Sequence, residues 1–311
     1  MALAQGVDAL LTESYALLTR LDLPGAHAML EEALSCDFEH EELLCALKCA
    51  RWWLDSRERI ELCKDPLEAG DLCLSRWRAF KDFMRRMSVR SERPSLAFKH
   101  YAFALALSRY AQLERPGEAS DPELSLRLGR AYKGIGDYEK ALAQLNTASK
   151  IRKDDPAVLA ELADTYGLIG EARASKALFR EAFYINPQKI ELDTLESDSV
   201  ARLVDKAFEH VSSAHEASEW VPVYGELMGV FTVKRELKPM ELGKLKQSVY
   251  EMETELASDG SRRSVLLPRL INRYFWLADC YINRREPKER IDEILLKIKL
   301  LDPNVYKLYI A

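Results

Sequence analysis

Apolar residues recur along most of the chain at intervals of three and four, the spacing that gathers them on one face of an α-helix and leaves charged residues on the other. Leu128 and Tyr132 stand four apart, and Ala141, Leu145 and Ala148 follow at four and three, which predicts two helices with facing apolar stripes. Trp77, Phe80, Met84 and Met87 form another such stripe and are expected in a core. The adjacent pair Trp52-Trp53 must point in two directions on a helix, so one of them is placed at a helical interface. Helical periodicity also runs over about 197–217, 219–230, 240–257 and 263–284, with breaks at the polar residues before Glu219, at Lys238-Pro239 and at Asp259-Gly260. No strand pairing is expected.

The helical pattern repeats. Pro122, Leu128, Gly129, Tyr132, Gly136, Ala141, Leu145 and Ala148 are answered 34 residues later by Pro156, Leu162, Ala163, Tyr166, Gly170, Ser175, Phe179 and Ala182. Gly129 and Ala141 are small where two antiparallel helices would cross closely, and Ala163 with Ser175 repeats the device. Gly136 and Gly170 end each first helix where a left-handed residue turns the backbone, and Asp137 suits the start of the next helix.

Two copies alone would leave their end faces open, so the flanks are expected to be helical as well. Leu17, Ala26, Leu30 and Ala33 echo the pattern near the N-terminus, with Leu23-Pro24-Gly25 read as the turn. Leu277, Ala278 and Tyr281 echo it near the C-terminus, with Glu286-Pro287 as the turn and Lys297 in a slot that is small elsewhere.

The pattern Leu-Gly-x2-Tyr-x8-Ala-x3-Leu-x2-Ala resembles the tetratricopeptide repeat (TPR). Pro187 completes the second copy as in that family, whereas Lys153 replaces the proline of the first, and Ser125 and Leu159 stand where the family has tryptophan. The resemblance implies an all-α fold, an α-solenoid of TPR and TPR-like helical hairpins. It divides the chain into an N-terminal helical region (1–117), two repeats (118–189) and irregular C-terminal hairpins (190–311), with the turn-forming run 115–122 as the first boundary. It also implies a protein-binding adaptor or scaffold, in which the first helices of successive repeats line a groove for a partner peptide or helix. The residues so placed are Leu126, Arg127, Arg130 and Lys133 on one helix and Ala160, Glu161 and Asp164 on the next, with an ion pair between Arg130 and Asp164 as the structural alternative. Chaperone-binding members begin a lysine and asparagine clamp where this chain has Leu126 and Arg130, so a chaperone tail is not the expected ligand.

Charge and chemistry change this picture little. The formal net charge of −5 gives no electrostatic case for binding nucleic acid with the whole molecule. A local patch exists: Arg76, Arg78, Lys81, Arg85, Arg86, Arg90 and Arg93 oppose only Asp82 and Glu92. Its face of Arg78, Lys81, Arg85 and Arg86 is the second candidate surface, for an acidic partner or RNA, and a solvated face is the simpler reading. Five of the six cysteines lie in the first quarter without a Cys-x-x-Cys pair; Cys45 and Cys49 share a helix face, but no second pair completes a tetrahedron, so core thiols rather than a metal site are expected. No phosphate loop, nucleophile elbow or zinc-protease helix occurs, and His210 and His215 fall on different helix faces, so neither an enzyme nor a cofactor is expected. No segment reads as a signal or a membrane span, and a cytoplasmic protein is the expectation.

Overall fold

The computed structural model describes residues 2–87, 91–115, 121–258 and 260–311. Among these the chain is built from helices with no strand, and helices pack consecutively with their chain neighbours, the all-α arrangement of a solenoid. It divides into two compact units, Met1–Ile151 and Arg152–Ala311. The expected linker falls largely on 116–120, outside the described residues, as do Arg90 and Asp259.

In the first unit, α1 (Ala2–Thr19) and α2 (Leu23–Cys36) form a hairpin, followed by α3 (Glu41–Leu62), α4 (Pro66–Arg86) and α5 (Glu92–Tyr110). A second hairpin, α6 (Pro122–Gly134) with α7 (Tyr138–Ile151), closes the unit. The starts are written in the sequence: Asp65-Pro66 and Asp121-Pro122 each set an aspartate that accepts an N–H of the first turn (from Glu68 and Glu123) before a proline that needs no partner there. His40 caps α3 by accepting the Leu43 N–H at 3.3 Å.

Helix α5 packs against α1, α3, α4 and α6, which explains why its apolar residues are spread around its circumference instead of lying in one stripe. Its Phe98, Tyr101 and Tyr110 meet Trp53, Trp77 and Phe80 in a buried aromatic core, with Trp53 5.5 Å from Tyr101 and Phe80 5.9 Å from Phe98. Both tryptophans of the Trp52-Trp53 pair serve this core: Trp52 lies 5.1 Å from Phe80 and carries the Arg76 guanidinium on its other side, 4.6 Å from the ring centre. Truncating a ring such as Phe80 to alanine would cost about 3–5 kcal/mol.

The second unit begins with the hairpin of α8 (Pro156–Leu168) and α9 (Ala172–Ile185) and continues through two short 3-10 turns, Pro187–Lys189 and Leu192–Thr194. There follow α10 (Asp198–His210), α11 (Ala214–Leu227), α12 (Pro239–Ser258), α13 (Arg263–Asn283), α14 (Lys288–Leu301) and α15 (Pro303–Ile310). Asp155-Pro156 and Asp302-Pro303 repeat the capping device of the first unit. Helix α13 is the axis of this core, buried on nearly every side from Leu266 to Tyr281 between α11, α12 and α14. The expected break before Glu219 falls earlier, at 211–213, where Val211 is extended and Ser213 caps α11, and Pro222 lies inside that helix.

A single backbone device ends the first helix of each repeat-like hairpin. At Gly136 (φ 84°) the Gly136 N–H donates to Lys133 O and the Asp137 N–H to Tyr132 O, both at 3.0 Å. Gly170 (φ 84°) does the same, with Glu171 N–H reaching Tyr166 O at 2.9 Å. The degenerate copies keep this turn without its glycine: Leu21 (φ 62°) and Arg285 (φ 53°) take the left-handed conformation while Asp22 and Glu286 donate to Leu17 O and Tyr281 O. The turn read from Leu23-Pro24-Gly25 is therefore corrected, whereas Glu286-Pro287 does lie in the turn, directly before α14 at Lys288. The reversals centre on Leu21 and Arg285; Gly25 lies within the first turn of α2, where the Asp22 carboxylate crowds the space a side chain would need. Lys297 fits a slot that is small elsewhere because it reaches out to Glu253 on α12, at 2.9 Å.

Candidate functional site

The first-copy residues expected to line a groove sit on α6, whose position is fixed on two sides. A Cβ on Gly129 would stand 2.5 Å from Leu145 Cγ, so glycine there lets α7 approach. On the other side, the Phe103 ring of α5 occupies the space a side chain on Gly134 would need. Arg127, two turns before Gly134 and on the same side of α6, donates from Nε to Asp71 Oδ1 at 2.8 Å and from Nη2 to Asp71 Oδ2 at 3.1 Å, a two-pronged pair. Its remaining Nη1 binds Glu123, one turn back on the same helix. Tyr110 on α5 donates its hydroxyl to the same Asp71 oxygen at 2.7 Å.

The electrostatics follow from that packing. Partial burial pushes the Asp71 carboxyl up, but hydrogen bonds from Arg127 and Tyr110 and the charges of Arg127 and Arg130 outweigh it, and the group titrates below the ordinary carboxylate range. Bonding to Asp71 opposes burial to hold Arg127 more firmly protonated, and burial with the Asp71 bond pushes Tyr110 well above an ordinary phenol. The result is an arginine with a fixed orientation beside half-buried Arg130. Asp71 and Tyr110 escaped the sequence reading because they lie 56 and 39 positions from their partners, and no periodicity links them.

Leu126 and Lys133 on the same helix are buried, at 5% and 3% exposure, so they contribute packing as well as any charge. The second-copy residues Ala160, Glu161 and Asp164 are buried in the second unit, at 1%, 1% and 0%. There Glu161 accepts the Thr194 hydroxyl at 2.6 Å, and Asp164 accepts the N–H groups of Glu196 at 3.0 Å and Ser197 at 2.8 Å. These carboxylates therefore hold the segment leading into α10, satisfying N–H groups at that helix's start.

The N-terminal basic run resolves into separate tasks. Arg76 stacks on Trp52 and donates to Ser56 Oγ at 2.7 Å, so it belongs to the core margin and not to a solvated face. Arg93 reaches Glu42 at 3.2 Å, bridging α5 and α3. Arg85 pairs with Asp82 at 3.1 Å on one exposed turn, and Arg86 donates to the Asp82 carbonyl.

A chain assembled from consecutive helix pairs, four of them turned by the same left-handed cap, is a helical-repeat protein. Residues 120–170 match the family model described as TPR repeat, which spans α6, α7, α8 and the Gly170 turn. No curated protein matches the sequence. TPR repeats support a protein-interaction or scaffold role in general. No helix among the described residues is long and apolar enough to cross a membrane.

Proposed function

We propose that this protein is a non-catalytic adaptor or assembly scaffold that receives a partner peptide or helix along the first-helix faces of its repeats. The observation that carries the reading is the Asp71–Arg127–Glu123 clamp beside Arg130. The clamp fixes α6 against α4 and commits the Arg127 donors to Asp71 and Glu123, so Arg130, half-buried one turn further along α6, is the basic residue this face presents to a partner. Charge complementarity then selects a partner segment whose acidic part lies over Arg130, while apolar contacts along the helices supply affinity. In the second unit, Glu161 and Asp164 fix the 192–197 segment against α8. A cytoplasmic location goes with this reading.

The test is affinity capture with tagged full-length chain, comparing wild type with Arg130→Glu and with Arg86→Glu, an exposed site on the alternative basic face. Arg130→Glu should deplete the main partner several-fold at unchanged melting temperature, and Arg86→Glu should not. The opposite ranking would move the functional surface to the 76–93 face. A steep loss of binding with salt, together with nucleic acid in the captured material, would favour RNA there.

A further inference from the structure

We propose that Cys45, Cys49 and Met84 form a binding site for Cu(I) inside the first unit. The sequence offered only a thiol pair on one helix, with no second Cys or His pair to complete a tetrahedral site. The structure brings a third sulfur from α4: Cys49 Sγ lies 3.3 Å from Met84 Sδ, and Cys45 stands one helical turn before Cys49 on the same face of α3. A second thiol one turn away thus flanks the Cys49–Met84 contact, with both cysteines fully buried.

The donor set decides the metal class. Thiolate and thioether sulfur suit Cu(I), a soft ion, whereas zinc sites close with four sulfur, nitrogen or oxygen ligands. Among the described residues no group of three His, Cys, Asp or Glu stands close enough to hold a metal ion, so a harder or tetrahedral ion finds no complete set. The pair is also protected from the competing reaction. Side chains four apart on a helix hold their Cβ atoms about 5–6 Å apart, beyond the roughly 3.5–4.5 Å that a disulfide requires. The thiols therefore stay available as ligands while α3 stays wound.

Access and charge fit as well. A cleft of about 360 Å³ is lined by Met84 together with Arg85, Ser91, Glu92, Ser95 and Leu96. Binding replaces the two S–H protons, which leave to solvent, by one Cu(I) held by two thiolates and one neutral thioether; no electron is transferred.

The experiment uses the full chain, reduced and anaerobic, with Cu(I) supplied as its complex with a chromogenic chelator. One Cu(I) per chain should be withdrawn from the chelator, and X-ray absorption at the copper edge should show a sulfur-only first shell. Cys45→Ser and Cys49→Ser should each weaken retention at least about tenfold, and Met84→Leu, which keeps the core volume, should weaken it measurably with the fold intact by circular dichroism. Cys280→Ser should change nothing. If the serine variants unfold, Met84→Leu and the absorption spectrum still decide. No withdrawal of copper, retention unaffected by Met84→Leu, a first shell containing nitrogen or oxygen, or equal retention by the cysteine variants would each overturn the proposal.

Discussion

Replacing Gly136 or Gly170 by alanine changes nothing but the backbone, because no atom stands within 4 Å of the added Cβ at either position. Both residues sit at φ 84°, where an L side chain meets its own carbonyl at a cost of about 1–2 kcal/mol. The stiffer unfolded chain returns about 0.4–1 kcal/mol of that. Each variant should therefore lose about 1 kcal/mol net, or about 2–4 °C of melting temperature for a cooperative unit of this size. Arg285 supplies the converse. It is exposed and already left-handed, so Arg285→Gly should raise the melting temperature by a degree or more as that strain is removed. Gly243, in α12 with open space around it and no positive φ, controls for glycine's entropy: Gly243→Ala should stabilise by about 0.5–1 kcal/mol. Differential scanning calorimetry on the four variants reads all the signs. Gly136→Ala and Gly170→Ala melting at or above wild type, or Arg285→Gly melting below it, would show that these turns do not depend on left-handed geometry.

Other expectations follow from packing and charge. Gly129→Leu and Ala163→Leu should each destabilise by about 1–3 kcal/mol through overpacking of a close crossing, measured by urea unfolding; unchanged midpoints would mean these are not crossing positions. Because the Asp71 carboxyl is depressed in the folded state, its contribution is present above its unfolded value of about 4 and is lost as pH falls through the lower folded value. Asp71→Asn should therefore be less stable at neutral pH and lose less between neutral pH and pH 3, and parallel stability–pH curves for the two proteins would refute the pairing with Arg127.

Much of the fold was legible because one local rule governs it. The 34-residue period, the Asp-Pro starts and the small residues Gly129 and Ala163 are all short-range signals, and each marks a helix boundary or crossing in the structure. The N-terminal degenerate turn was read too late because the reading relied on glycine and proline, whereas Leu21 adopts the left-handed conformation under the constraint of the flanking helices. The central roles of α5 and α13 were hidden for a different reason. A helix surrounded by neighbours has no polar face, so its pattern says that it is buried without saying against what. The candidate face was half visible: the repeat placed Arg127 and Arg130 on α6, but the orientation of Arg127 depends on Asp71, itself held by Tyr110, and only the tertiary fold brings these near. Burial of Lys133, Glu161 and Asp164 was equally out of reach, because it depends on the company those residues keep in the folded chain.

The most direct test of partner reception on the α6 face is site-specific photo-crosslinking in the full chain, with a photoreactive amino acid placed at Arg130 in one variant and at Arg86 in another. Crosslinks from position 130 to an acidic segment of one dominant partner polypeptide, with none from position 86, are the predicted result. Crosslinks to the same partner from position 86 alone would contradict the account and place recognition on the N-terminal basic face.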